Sequence, residues 1–348
     1  MDPFPSLTRL GQVRRLRTMA LAALEQYDLP IERVSLLTFH FNAIFRIDLK
    51  DGGKRVLRIN IPGIRTLGNI RSEALWLAAL SEDTDLSVPT PVPNRRGDLV
   101  TTVSVDGVPE PRHCVLFKWV SGRDLRFNMT PANYRKLGEF TTRLHDHAEA
   151  WTPPPDFDLN THTGIFLFDT PELFWESTHA PDIITIERRR LFRDTALRIQ
   201  ASLDALYDAA GSVCVLHADL HQGNVRIDRG ILRVLDFDDC LFGHFVQDIG
   251  ITFYYIQAHP EYAALRAAYR EGYESRRPWP ESSEGQIDSI IAGRELLLCQ
   301  FLFYSDNPGY RDAVAGFVSR AETRLQVFNE RYPGAPGRPP RRPAAHPP

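Results

Sequence analysis

The stretch VLHADLHQGNVRIDRGILRVLDFDD, residues 215–239, constrains this chain more than any other. It sets His217, Asp219, His221, Asn224, Asp236, Asp238 and Asp239 within twenty-five residues, beside short apolar runs. VCVLH reads as a strand that stops at His217. VRI and ILRVLD read as two strands joined by a tight turn at Asp228-Arg229-Gly230. Asp219 and Asn224 then bracket a loop at one end of that hairpin, and the returning strand brings Asp236 to the same end. Strands that want burial do not gather so many polar side chains without a ligand to receive them.

The chemistry follows from the residue types. Asn and Asp oxygens suit Mg²⁺, a hard ion commonly held by one or two carboxylates plus substrate phosphates. A carboxylate beside such an ion, and not coordinated to it, can orient a hydroxyl and accept its proton. Phosphoryl transfer needs both roles. A zinc centre is the competing reading, with His217, Asp219 and His221 presented in alternation. It leaves Asn224 and Asp236 without a task and finds no neighbouring cysteine or acidic partner to complete the set. Taken singly the residues are ordinary: turns rich in Asp, Asn and Gly are common, and a lone His217 reads as a histidine that shapes the loop.

The rest of the chain frames this stretch. With 348 residues, two domains or lobes are expected. A formal net charge of −3 gives no general affinity for nucleic acid. Arg14, Arg15 and Arg17, and Arg188 to Arg190, fall in helical segments and read as solvated faces. Cys114, Cys214, Cys240 and Cys299 form no CxxC pair and read as free thiols in a reducing compartment. MALAALEQY is too short for a signal-peptide core. Leu7, Leu10, Val13, Leu16 and Ala20 instead recur at helical spacing. Arg294 and Glu295 interrupt IIAGRELLLCQFLFY, which argues against a bilayer span. A cytoplasmic protein with no membrane and no nucleic-acid partner is expected.

Along the chain, a helix over 7–27 precedes a hairpin in 32–60 turned at Asp51-Gly52-Gly53, a helix at 72–80, and strands in LVTTVSV and HCVLFKWV. Thr130-Pro131 opens a helix to about residue 148. A long helix is expected near 184–209 and three more over 247–332. The tail PGAPGRPPRRPAAHPP cannot build a core. The expected divisions are 1–30, a β-rich lobe over 31–121, a mainly helical lobe over 122–332, and a disordered tail over 333–348.

HADLHQGN followed by LDFDD resembles the catalytic and metal-binding segments of the aminoglycoside phosphotransferase and choline kinase-like family, which also includes a bacterial stress-response kinase. The resemblance covers roughly residues 32–330. It implies an α+β, protein-kinase-like bilobal fold and transfer of a phosphate from ATP, with GTP as the alternative donor, to the hydroxyl of a small molecule such as an aminoglycoside, amino alcohol or sugar. Carried over by position, Asp219 is the catalytic base, His217 supports its loop, and Asn224 and Asp236 hold Mg²⁺. Asp248, in FVQDIG, matches an acidic residue that buttresses the loop. His221, Asp238 and Asp239 are left for substrate or a second metal, or for capping the turn.

In the N-terminal lobe, Arg58 stands where the family places a phosphate-binding lysine, with Glu73 as its helical partner. Arginine keeps the charge and alters the geometry. The phosphate loop, TFHFNAIFRI, has no glycine, so Asn42 and backbone amides are expected to serve there. LFKWVSG fits the hinge, with backbone groups near Lys118 and Val120 meeting the adenine edge. Two other functions stay open: a protein Ser/Thr kinase of the stress-response type, and a nucleotide-binding pseudokinase that regulates a partner. Phe166, Phe168 and Trp175 lie in the insert expected to meet the acceptor, where core packing explains aromatics equally well. Oligomeric state is not legible in the sequence.

Overall fold

The computed structural model describes residues 4–40, 42–166, 172–178, 180–210, 213–305, 310 and 312–333. Phe168 and the tail beyond Pro333 lie outside them. The chain divides into two compact units, neither contiguous in sequence. One comprises Met1–Asn128, Ala150–Asn160 and Gly223–Cys240, and the other comprises Met129–Glu149, Thr161–Gln222 and Leu241–Pro348.

The first unit is built on a five-stranded antiparallel sheet. Helix α1 (Arg9–Leu24) leads into strands β1 (Ile31–Phe39), β2 (Ala43–Leu49) and β3 (Lys54–Ile59), helix α2 (Leu67–Asp83), and strands β4 (Thr101–Val103) and β5 (Arg112–Lys118). The strand order is β1-β2-β3-β5-β4. β2 shows why the sequence folds this way: Ala43, Phe45, Ile47 and Leu49 are buried while the residues between them are half-exposed, the period-two pattern of a strand with one face on a core. Leu16, Met19, Ala20, Ala23 and Leu24 of α1 join that face in one apolar cluster. The expected stripe on α1 is right only in its second half. Leu10 is exposed, because only the C-terminal turns of the helix reach the cluster.

The polar hairpin belongs to this first unit, whereas a single cut after residue 121 would give it to the helical part. Strand β6 (Arg123–Asp124) pairs with β8 (Val225–Asp228), which pairs with β9 (Ile231–Val234). Arg229 and Gly230, at φ 50° and 81°, make the two-residue turn of left-handed conformations that suits a hairpin's twist. Two further contacts fix the hairpin. The Val234 amide donates to the Ser87 carbonyl at 3.0 Å. Buried Phe237 meets the ring of buried Trp76 edge-on, with centroids 5.5 Å apart.

The second unit is helical: α3 (Pro131–Ala150), α4 (Ile186–Ala210), α5 (Phe245–Tyr254), α6 (Tyr262–Glu274), α7 (Gln286–Phe303) and α8 (Val314–Arg331). Among the described residues four helices, rather than the expected three, follow residue 244. Pro260 and the Pro278-Trp279-Pro280 segment fall in the breaks between them, where a missing amide and a fixed φ stop a helix. A short strand absent from the sequence reading, β10 (Leu241–Gly243), pairs antiparallel with β7 (Cys214–Leu216). Every residue of α5 is buried, and α7 packs against α4, α5 and α8. Among the described residues no helix is long and apolar enough to cross a membrane.

Helices α3 and α6 approach backbone to backbone through two facing glycines. A Cβ at Gly138 would fall on the Tyr269 carbonyl oxygen, and one at Gly272 on the Arg135 carbonyl oxygen. Neither obstacle is a side chain that can swing away. Gly138→Ala and Gly272→Ala should each lower stability by about 1–3 kcal/mol, the usual cost of overpacking. The double variant should lose less than the sum, because one separation of the helices relieves both clashes. Urea unfolding of the four proteins measures this.

Candidate active site

The loop after β7 is shaped by one buried carboxylate. Asp248, in the first turn of α5, accepts the His217 amide at 3.1 Å and the Ala218 amide at 2.7 Å. It also lies 3.2 Å from His145 Nε2, while His145 Nδ1 lies 2.9 Å from the Tyr273 hydroxyl. With Nε2–H donating to the carboxylate, Nδ1 is left to accept from tyrosine. Asp248, His145 and His217 are all buried. Burial pushes the Asp248 carboxyl up, and the bonds from His145, the nearby His217 and the Ala218 amide overcome it, leaving it below its ordinary pKa. Asp248 is thus the anchor of the loop.

The clamp fixes an unusual backbone. Ala218 has φ 61°, a left-handed conformation costly for a residue with a side chain. Further on, the Thr252 hydroxyl donates to the Leu220 carbonyl at 2.6 Å. His217 is buried beside this loop, and its Nδ1 accepts the Asp219 amide at 3.2 Å.

Asp219 emerges from this support with its carboxylate among donors. Oδ1 accepts from Arg294 Nη2 at 2.7 Å and from the Tyr255 hydroxyl at 3.4 Å. Oδ2 lies 3.4 Å from His221 Nε2. Burial acts to raise the Asp219 pKa, but the His221 hydrogen bond and the charges of Arg294, His221 and His217 bring it below the ordinary carboxylate value. Arg294 Nη2 also donates to the Tyr255 hydroxyl at 3.0 Å, and the His221 ring lies against the Tyr255 ring at 4.3 Å. Arg294 and Tyr255 are absent from the sequence-derived site. The one available signal was Arg294 itself, a charge in an otherwise apolar helical run.

In the first unit, the expected metal ligands sit at the open end of the β8–β9 hairpin. The Leu235 amide donates to the Asn224 carbonyl at 2.7 Å, which places Asn224 across the ladder from the residue preceding Asp236. Asp236 has φ 62°. The pair supplies one amide oxygen and one carboxylate, a donor set that fits a hard divalent cation completed by phosphate oxygens and water. Among the described residues no three His, Cys, Asp or Glu side chains are grouped to hold a metal by themselves.

The segment after Asp236 is tied down by charge. Asp238 accepts from Asn42 Nδ2 at 2.8 Å and Asn60 Nδ2 at 3.2 Å, and lies 3.5 Å from Arg58 Nη1. Asp239 pairs with Arg65 at 2.7 Å. These contacts give Asp238 and Asp239 partners within the protein. Arg58 pairs bidentately with Glu73, Nη1 to Oε1 at 2.7 Å and Nη2 to Oε2. Its Nε lies 3.4 Å from the Asn60 side-chain oxygen. Burial opposes the Arg58 charge, and Glu73, Asp238 and Asp236 outweigh it, so the guanidinium stays protonated.

In the glycine-free loop the Asn42 side-chain amide is engaged at both ends. Its Oδ1 accepts the Ile61 amide at 3.1 Å while its Nδ2 holds Asp238. In the expected hinge, the Lys118 amide donates to the Thr90 carbonyl at 2.9 Å, and Val120 is half-buried. Asn60 and Arg65 join the network without having been read as site residues.

Comparison with known proteins places the chain among phosphotransferases. The family model described as phosphotransferase enzyme family, APH, matches residues 39–281. The amicoumacin kinase of Bacillus subtilis (strain 168) is 24% identical over 240 residues, 68% of this chain and 67% of that protein. The solved structure of a microcompartment-associated aminopropanol kinase is similar at TM-score 0.78 and 27% identity, covering 90% of this chain and 98% of that one. An amicoumacin kinase solved with AMP-PNP, Ca²⁺ and Ami shares the fold at TM-score 0.69 and 19% identity, over 91% of this chain and 96% of that one. The HADLHQGN loop clamped by Asp248, the LDFDD segment tied to Arg58 and the match over 39–281 lead to one assignment: the chain belongs to the phosphotransferase enzyme family.

Proposed function

We propose that this phosphotransferase moves the γ-phosphate of ATP to a hydroxyl of a small molecule, with Asp219 orienting that hydroxyl. The observation that carries the reading is the Asp219 carboxylate, kept ionised by its neighbours on a loop whose backbone Asp248 and Thr252 hold in place. The acceptor oxygen forms a bond to the γ-phosphorus as the bond from that phosphorus to ADP breaks, and the hydroxyl proton passes to Asp219. A carboxylate with a lowered pKa is a weak base. That suits phosphoryl transfer, where positioning matters more than early proton removal.

Asn224 and Asp236 are the residues that would hold Mg²⁺, which supplies charge neutralisation on the phosphate oxygens when bound. The positive φ at Asp236 and the anchoring of Asp238 support a fixed orientation for that carboxylate. Arg58 is best read as a strut that joins β3, α2 and the segment after Asp236. The names of the relatives, an amicoumacin kinase and an aminopropanol kinase, support a small-molecule acceptor over a protein. A pseudokinase would need neither an ionised Asp219 nor the buried scaffold that presents it.

Asp219→Ala should lower phosphate transfer by at least about 10²-fold. The variant should still be stabilised against heat by AMP-PNP with Mg²⁺, since Asp219 is assigned to the acceptor. A coupled ADP-release assay and a thermal-shift titration read the two effects, and activity within a few-fold of wild type would reassign the base. Breaking the strut gives a different signature. Glu73→Ala leaves Arg58 buried opposite an empty place and should cost about 3–5 kcal/mol of stability. Denaturant unfolding without nucleotide checks this. Unchanged stability with only a raised KM for ATP would mean that Arg58 serves phosphate first and structure second.

A further inference from the structure

The clamp on the loop backbone leaves Asp219 one freedom, the rotation of its own side chain. Asp248 holds the amides of His217 and Ala218, and Thr252 holds the Leu220 carbonyl, so the Asp219 backbone lies between fixed points. The donors around the side chain then decide which carboxylate oxygen meets an acceptor. Each oxygen offers two lone pairs.

Both lone pairs of Oδ1 have donors. Arg294 Nη2 donates to it at 2.7 Å and the Tyr255 hydroxyl at 3.4 Å. Arg294 Nη2 also donates to the Tyr255 hydroxyl at 3.0 Å, so the phenol oxygen accepts there and gives its own proton to Asp219. The three groups close a triangle. Arg294 is carried by α7, whose Ile290, Ile291 and Leu296 are buried, and Tyr255 follows directly on α5, every residue of which is buried. At 2.7 Å the guanidinium and the carboxylate neutralise one another, so Arg294 acts on where Asp219 points and not on the charge of a ligand. On the other flank, His221 Nε2 lies 3.4 Å from Oδ2, long for a hydrogen bond. Exposure follows the same division: the Arg294 side chain is 9% exposed and the His221 side chain 21%. Of the two flanks, that of Oδ2 is the more open.

We infer that Arg294 and Tyr255 are positioning residues that hold Asp219 by Oδ1 and so assign Oδ2, on the His221 side, to the acceptor hydroxyl. The inference rests on the reading of Asp219 as the acceptor-facing residue. As the acceptor oxygen bonds to the γ-phosphorus and ADP leaves, the hydroxyl proton passes to Oδ2 while Oδ1 keeps its two donors. An amide at position 219 exposes this division of labour. In Asp219→Asn the one carbonyl oxygen is drawn to Arg294 and Tyr255, and the NH₂ group is left on the acceptor side, a donor where an acceptor is needed. With Arg294→Gln added, the glutamine carbonyl can accept from that NH₂ group, which lets the amide turn its own carbonyl to the hydroxyl.

The test follows ADP release by the full chain with ATP and Mg²⁺, using 1-amino-2-propanol, glycerol and water as acceptors. The acceptor that wild type uses fastest is carried through. Asp219→Asn should lower kcat by about 10²-fold or more, as far as Asp219→Ala. Asp219→Asn with Arg294→Gln should recover about tenfold over Asp219→Asn alone, in kcat and not in KM for ATP. A purely structural Arg294 gives the opposite result, a second loss added to the first. Tyr255→Phe, which keeps the ring against His221, should lower kcat by about tenfold or less at unchanged KM for ATP. Thermal unfolding with AMP-PNP and Mg²⁺ reports whether each variant is folded. If the Arg294→Gln pair is not, Asp219→Asn with Tyr255→Phe makes the same comparison. No recovery in a folded double variant, or Asp219→Asn about tenfold more active than Asp219→Ala, overturns the assignment of the two oxygens and leaves the kinase reading intact. No ADP release by wild type with any acceptor, water included, overturns the kinase reading itself.

Discussion

The Asp248 carboxylate carries a strain that the protein would otherwise shed. Ala218 at φ 61° is unfavourable in isolation, and a free loop would relax to an ordinary conformation. Two amide hydrogen bonds to one buried, ionised carboxylate hold it, and charge-assisted bonds of this kind are stronger than neutral ones. The carboxylate is itself held by His145, and His145 by Tyr273, so the clamp continues through α3 to α6. The facing glycines at 138 and 272 let those two helices meet closely on the side that supports it. Removing any link leaves a buried polar group unsatisfied, which is why the chain of contacts acts as a unit.

The first unit solves the same problem with opposite charges. Asp236 also has positive φ, and the residues after it are secured by a guanidinium and two amides at Asp238 and by a second guanidinium at Asp239. A lysine at position 58 could pair with Glu73, but it has no planar fork to serve Glu73, Asn60 and Asp238 together. The departure from the family's lysine and the glycine-free loop are therefore connected. Asn42 and Arg58 meet on the same aspartate.

Much of this was legible because it is local. The hairpin turn at Arg229-Gly230, the alternation in β2, and the spacing of HADLHQGN and LDFDD each depend on a few adjacent residues. What escaped depends on partners distant in sequence. Nothing near residue 225 announces that β8 will pair with Arg123–Asp124 or that Phe237 will rest on Trp76, so the hairpin looked like part of the helical region. The same holds for β10, three residues long and stabilised by β7. On α1 the apolar spacing is genuine, but burial depends on where the sheet ends, and Leu10 lies beyond it. Asp248 was readable from its place in FVQDIG, whereas Tyr255 and Arg294 have no motif to mark them.

The placement of Arg294 bears on what kind of catalyst this chain can be. A general base that must strip a proton early benefits from a raised pKa, and desolvation alone would have provided one for a carboxylate as buried as Asp219. The surrounding donors, Arg294, His221 and Tyr255, work in the other direction. The protein thus lowers the basicity of Asp219, the group proposed to face the acceptor, in return for a fixed, ionised carboxylate. That exchange is favourable only where the hydroxyl needs to be aimed and its proton leaves late, which is the demand of a loose phosphoryl-transfer transition state.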